Sequence, residues 1–420
     1  MLAFIIVPIY VLLVLMYSRK NDFSSNFIFL SLFFMGLFYL FPLLYFWEKD
    51  AIHYARVTRW YSEGDYNRAA AAFVLFLAGF FFVELLKVTR KKKRIEYEDG
   101  RAVDSKDASR KSSYFFFFLF LTASAAAVYF YINNTAEKTL LARQGEAVIG
   151  WGDYFLSVLM VSLSIFLFLF SIKNQKKAFI WLCLGLVLVS SVAIGGRTRL
   201  LLAISLMFLC LVNIRAKKIS IIVMVLFIFM VPIVANLKTV MYMIIVHKDI
   251  PDIAGYYTNW SGLSKVMANF SHPVISIMNV DEMSRELGFR YFYDYLHGIL
   301  FYLKVFGIDL GPSLTHFNTR TVIGIDESII PTGYLAFGYM QLGYAGVFVS
   351  GFFYRMIGVL TKKAYHYTQL ETESSKFYFS FMGAYSFYHG DIRIMVMTLF
   401  LPIVIIGALS SFHRNTILTR

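Results

Sequence analysis

Apolar residues in this chain fall in long unbroken runs rather than in alternation with polar ones. Eleven stretches stand out, at roughly 1–17, 25–47, 69–86, 114–133, 151–172, 178–194, 200–213, 219–240, 333–360, 377–389 and 392–412. They hold 215 of the 420 residues, and their average length is close to the ~20 residues with which an α-helix crosses ~30 Å of hydrocarbon. The pattern predicts an all-α, polytopic membrane helical bundle of about 11 spans. A transmembrane β-barrel would show a period of two instead.

The runs divide the chain into three parts. Residues 1–240 hold the first eight expected spans, interrupted by a polar, basic loop at 87–113. Residues 241–332 form one long segment outside the spans, and residues 333–420 hold the last three. The long segment has a helical pattern of its own. Tyr291, Tyr295, Ile299, Tyr302 and Phe306 recur at three or four residues, which predicts an amphipathic helix over 290–306 lying at the membrane interface. Gly307 ends it and Gly311-Pro312 turns the chain. Such a segment serves either as a structural cap over the bundle or as a lid that encloses a substrate.

Composition narrows the class further. With 58% hydrophobic and 16% charged residues, the chain lies far from a soluble domain, where about a quarter of residues are charged. The net charge of +14 suggests nucleic acid until it is divided by topology. Segments 18–24, 87–113, 173–177, 214–218, 361–376 and 413–420 carry 23 Lys+Arg against 8 Asp+Glu. Segments 48–68, 134–150, 195–199, 241–332 and 390–391 carry 14 against 16. That asymmetry places the first set in the cytoplasm and the second outside, with the amino terminus outside and the carboxyl terminus inside. Cys183 and Cys210 both fall inside expected spans, so no disulfide is expected.

Candidate chemistry concentrates where spans meet at the outer edge. Gly195-Gly196-Arg197-Thr198-Arg199 joins the sixth and seventh expected spans without a loop of useful length. Charges at that depth are costly unless they are paired or line a wet cavity, and a guanidinium fork fits phosphate bidentately. Arg197 is therefore a candidate for binding an anionic ligand, with Arg199 beside it; interfacial snorkelling is the structural alternative. His389-Gly390-Asp391-Ile392-Arg393 repeats the Gly-plus-Arg design between the last two spans. There Asp391 either locks helices through an ion pair with Arg393 or Arg197, or orients an arginine and accepts a proton, while Arg393 adds a phosphate contact.

In 241–332 the polar candidates are His272, Glu282, Arg285, Arg290, His316, Arg320, Asp326 and Glu327. His316 and Arg320 share a face if their stretch is helical. Tyr291 and its aromatic neighbours suit sugar stacking as well as interfacial anchoring. No metal-ligand spacing, H-E-x-x-H, G-x-S-x-G or P-loop is present in the sequence. Gly333, Gly338, Gly343 and Gly346, at the start of the ninth span, allow close helix packing.

Taken together, Gly195, Arg197, Leu200 and Leu201 after a span, a long outward loop late in the chain, the Tyr339-x-Gln341-Leu342-Gly343-x-x-Gly346 helix start and the late Gly390-Asp391 element resemble the Wzy-type O-antigen polymerases. The resemblance implies a GT-C-like, metal-independent glycosyltransferase of the bacterial inner membrane that needs no cofactor. It implies polymerisation of oligosaccharide repeat units carried on undecaprenyl diphosphate, at the periplasmic face. Arg197, Asp391 and His316 are then the catalytic candidates, and Arg199, Arg290, Arg320, Arg393 and Tyr291 the substrate-binding ones. Implied partners are the lipid-linked donor and acceptor, the bilayer, a Wzz-type chain-length regulator and a flippase, with no nucleic acid. One feature departs from the family pattern: an acid expected four to five residues before the Gln-Leu-Gly step is replaced by Ala336 and Phe337. A catalytic carboxylate must then come from Asp391, Asp326, Glu327 or Glu282. An O-antigen ligase, transferring glycan to lipid A core, and a polysaccharide flippase are the rival classes. A transporter would place polar groups near the bilayer midplane, whereas the charged residues of these spans lie mostly at their ends.

Overall fold

The computed structural model describes residues 2–20, 22–47, 51–54, 57–89, 106–133, 151–173, 177–193, 206, 218, 221–222, 270–301, 308, 310–325, 330–386 and 390–418. Most of the seventh and eighth expected spans, together with Arg197 and Arg199, lies outside the described residues. Helices α1 (Leu2–Ser18), α2 (Phe23–Phe46), α3 (Glu63–Thr89), α4 (Lys106–Ile132), α5 (Trp151–Lys173) and α6 (Lys177–Ala193) coincide with the first six apolar runs. Four short helices follow, α7 (His272–Met278), α8 (Val280–Leu287), α9 (Tyr293–Leu300) and α10 (Leu314–Ile323). Then come α11 (Gly333–Tyr367), α12 (Glu373–Ser386) and α13 (392–418). Among the described residues the strands are those of one hairpin, β1 (Ala51–Tyr54) and β2 (Val57–Trp60), with Ala51 opposite Trp60.

Four helices are long and apolar enough to cross a membrane, Phe23–Phe46, Glu63–Leu86, Leu156–Lys173 and Gly333–Tyr367, and four shorter ones are apolar. Large apolar side chains such as Leu12, Leu85, Phe118 and Leu121 point outward, as they do when the solvent is lipid. The chain is a helical membrane protein.

α2 is the central element. Asp22 caps it, accepting from the Ser25 amide at 3.1 Å. Near its far end the helix widens into a π turn at Gly36–Leu40, and α13 does the same at Val396–Phe400. Pro42 and Pro402 each follow two residues later. Proline lacks an N–H and its ring collides with the carbonyl four residues back, here Phe38 and Thr398, and a π turn relieves that collision while keeping the helix continuous.

α11 departs from the expected straight span. Leu342 (φ −151°, ψ 32°) and Gly343 (φ 61°, ψ −144°) break it. A methyl group added at Gly346 would stand 2.1 Å from the Gly338 carbonyl oxygen, and one at Gly338 would stand 2.5 Å from Ser350 Oγ. Residues eight apart in a straight helix are ~12 Å apart along its axis, so the chain doubles back and 333–341 runs antiparallel to 344–354. The Tyr334 and Tyr354 rings, 6.2 Å apart, close the pairing. The glycines do allow close packing, as expected, but between two arms of one helical hairpin.

The second arm packs on α3 through glycine at both sides. Methyl groups at Gly79 and Gly351 would lie 1.9 Å from Phe348 O and 2.1 Å from Phe76 O respectively. Further along, Arg355 is fully buried, donates through Nε to Glu84 at 2.9 Å and lies between the Phe27 and Phe80 rings. Removing one partner of such a pair strands a buried charge. Glu84→Ala is therefore expected to destabilise the protein by about 3–5 kcal/mol, and Glu84→Leu with Arg355→Met to recover most of it. Unfolding midpoints in detergent check this, and an unchanged midpoint for Glu84→Ala would contradict it.

Among the described residues, contacts join polar segments of the same charge group. In the basic group Lys173 donates to the Gln369 carbonyl at 2.7 Å, and Phe115, just past the 87–113 loop, packs on His413. In the other, Arg59 and Arg68 tie the hairpin and the start of α3 to Glu282 (3.4 Å) and Asp281 (2.5 Å) on α8.

Candidate active site

The hairpin of α11 builds the site. Its first arm ends at Met340 and Gln341, whose carbonyls accept from the Arg290 and Tyr291 amides at 2.7 and 3.1 Å. That seats the 288–292 turn, where Gly288, Tyr291 and Phe292 all have positive φ. The turn launches α9 three residues later than the sequence pattern predicts. On that helix Leu296 and Ile299 point outward, while Asp294, His297 and Gly298 face inward. A helix that exposes apolar side chains and buries polar ones inverts the pattern of a soluble helix.

Three other elements meet α9 there. A methyl group at Gly298 would lie 2.4 Å from Ile392 Cβ, so α9 rests directly on the start of α13. At Gly390 (φ 62°) the same addition would come within 2.3 Å of the Gly333 backbone, so the chain before α13 presses against the start of α11. Gly311 (φ 72°) turns the chain into α10 as expected, and Asn318 anchors that helix to the Ile330 carbonyl at 2.9 Å. Asp294, His297, Ser313, Thr315, Asp391 and Arg393 are among the residues lining the recess between these elements.

Two carboxylate–guanidinium pairs stand in this recess. Asp391 accepts from Arg393 Nε at 3.0 Å and Nη2 at 2.5 Å, from the Arg393 amide at 2.9 Å, and from Thr315 Oγ1 at 2.6 Å. Burial alone would raise its pKa, but the charge of Arg393 and these hydrogen bonds outweigh burial and hold the carboxyl below the ordinary aspartate value. Arg393 also lies 4.8 Å from the centre of the Phe301 ring. Across the recess Asp294, 4% exposed, takes both Nε and Nη2 of Arg290 at 3.1 Å and Gln341 Nε2 at 3.0 Å. A carboxylate thus does stand beside the Phe337-to-Gln341 turn of α11, supplied by α9 rather than by α11 itself.

A profile of the O-antigen polysaccharide polymerase Wzy family matches residues 1–249, more than half of the chain. The chain belongs to this family. No curated protein and no solved structure matches it. The matched region carries α1 to α6 together with Arg197 and Arg199; the recess is built by residues after it. Membership establishes an O-antigen polymerase in general, and with it a membrane setting and lipid-linked oligosaccharide substrates.

Of the residues singled out in the sequence, Asp391 and Arg393 line the recess, and Arg290 reaches it through Asp294. His316 is on α10, half-buried against Phe317, and is not among the lining residues. Arg320 does share the α10 helix with it, but pairs with Glu286 of α8 and stacks on Phe317. Tyr291 is 71% exposed near the site. Glu282 pairs with Arg59, while Asp326, Glu327, His389, Arg197 and Arg199 lie outside the described residues. Asp294, His297 and Thr315 escaped sequence reasoning, and Gln341 entered it only as part of the glycine-rich helix start. The available signal was Arg290 and Asp294 at a spacing of four, ahead of a helix whose apolar side faces out. Among the described residues no group of three or more His, Cys, Asp or Glu is placed to hold a metal.

Proposed function

We propose that this polymerase joins repeat units carried on undecaprenyl diphosphate at the periplasmic face of the bacterial inner membrane, without a metal, and that the recess is where the units meet. The observation that carries this reading is the convergence of Arg393–Asp391 and Arg290–Asp294, from opposite ends of the 290–393 region, on one recess behind α9, whose outer side is apolar. A diphosphate leaves readily when its developing charge is neutralised, and positioned guanidinium groups do that. Arg393 is held in place by Asp391 and addresses the diphosphate, with Arg197 as a second contact. Asp391 is a positioning residue in this scheme, because its acceptor oxygens are already engaged. Tyr291 and the aromatic rim offer sugar-stacking faces. His316 and Arg320 are left as rim residues.

The reading requires the recess end of the bundle to face the periplasm. Cysteines placed within 255–265 are expected to react with a membrane-impermeant maleimide in intact cells, and those within 95–105 to react only after lysis. Labelling of the second window in intact cells would reverse the orientation. The activity itself is tested with the purified protein and a single lipid-linked repeat unit, which should yield a ladder of longer glycans. Transfer only to a lipid A core acceptor would make the protein a ligase instead.

A further inference from the structure

Transfer to a sugar hydroxyl requires a group that takes the hydroxyl proton, and the two carboxylates of the recess are poorly suited to it. Asp391 and Asp294 are each gripped at two points by a guanidinium; Thr315 and the Arg393 amide also donate to Asp391, and Gln341 to Asp294. Donors already occupy the oxygens of both carboxylates. His297 is the remaining titratable side chain among the described lining residues. It is 4% exposed, lies on the inward face of α9 one turn after Asp294, and is flanked by the Tyr293 and Phe301 rings at 5.8 and 6.2 Å. Its Nε2 stands 3.2 Å from the Gly311 carbonyl oxygen. A carbonyl only accepts, so Nε2 carries the hydrogen and, in the neutral ring, Nδ1 keeps the lone pair.

Resting on the polymerase reading above, we propose that His297 Nδ1 is the general base of the reaction. The acceptor hydroxyl oxygen forms the new bond to the donor's anomeric carbon as the anomeric carbon–oxygen bond to phosphate breaks. The electron pair of that bond leaves with the diphosphate, and the hydroxyl proton passes to Nδ1. The imidazolium then releases it to water or to the departing diphosphate. The charged and titratable groups around the ring fit the cycle. Asp294 of α9 is paired with Arg290, and Asp391 at the start of α13 with Arg393. The Tyr293 phenol is turned to the Leu310 carbonyl at 2.9 Å. The Gly311 contact does for His297 what a carboxylate does for the histidine of a hydrolase, setting tautomer and orientation.

The test uses the full-length protein and the lipid-linked repeat unit. His297→Gln keeps an amide that can reach the Gly311 carbonyl but supplies no base. Its kcat is expected to fall ~10²–10⁴-fold with KM and donor binding unchanged, and to lose the acid limb that wild-type kcat shows as the imidazole is protonated. A variant within ~10-fold of wild type, or one that keeps the acid limb, overturns the proposal. If the variant does not fold, the wild-type profile decides alone: a kcat flat between about pH 5 and 8 overturns it and a falling acid limb supports it. Absence of any ladder from wild-type protein is a different result, because it removes the polymerase reading itself.

Discussion

Arg393→Ala and Asp391→Asn are each expected to abolish polymer, and the double variant is expected to recover protein without recovering polymer. The Arg393 guanidinium and the Asp391 carboxylate are mutual partners in a buried setting. Losing either one strands the other's charge at a cost of about 3–5 kcal/mol, so membrane abundance falls in both singles. Removing both relieves that penalty, and abundance returns. Activity separates the alternatives. If the pair only locks α13 to α10 through Thr315, the double variant makes polymer again. If Arg393 neutralises the leaving diphosphate, the double variant stays inactive, with a loss of about 10²–10³-fold or more. The single Arg393→Lys also stays strongly impaired, because a point charge does not reproduce the fork. Abundance by immunoblot and polymer by glycan ladder decide it. The low pKa of Asp391 fixes the pH behaviour of the pair. A carboxyl depressed in the folded state stabilises above the ordinary aspartate pKa near 4, and that contribution is lost as pH falls through its lower folded value. The lock therefore holds throughout the neutral range.

Gly390→Ala is expected to be as damaging as loss of Arg393, although it removes no functional group. The residue has φ 62°, and an added methyl would sit 2.3 Å from the Gly333 carbonyl carbon and oxygen. Both atoms are backbone and neither can yield by a side-chain rotation. Either the start of α13 or the start of α11 has to move, and both form the recess. Gly324 supplies the control, because it is left-handed at φ 75° and ψ 17° with nothing within 4 Å of the added methyl. Gly324→Ala thus bears only the ~1–2 kcal/mol conformational strain of a left-handed alanine and should leave polymer length largely intact. Equal effects of the two substitutions on the glycan ladder would contradict the packing account.

The contrast between these glycines shows what the sequence disclosed and what it hid. Hydropathy runs located α1 to α6 and α11 to α13 because lipid demands length and apolar content. Gly390, Asp391 and Arg393 were legible because a charged tripeptide between two apolar runs has few structural reasons to exist. The hairpin in α11 was not legible: Gly338, Gly343 and Gly346 give the same spacing whether a glycine helix packs on a neighbour or folds on itself. Asp294 and His297 were missed for a related reason. Their helix was read from its apolar stripe alone, and that stripe does not tell which polar residues between its members face inward.

The central claim is that the chemistry takes place in the recess between α9, α10 and the start of α13. A lipid-linked repeat unit carrying a photoreactive group on the sugar next to the diphosphate tests it most directly, with cross-linked peptides read by mass spectrometry. The account predicts cross-links to residues 294–298, 313–315 and 390–393, competed by unlabelled repeat unit and lost in Arg393→Ala. Competed cross-links confined to the opposite end of the bundle, around 173–177 and 366–373, would contradict it.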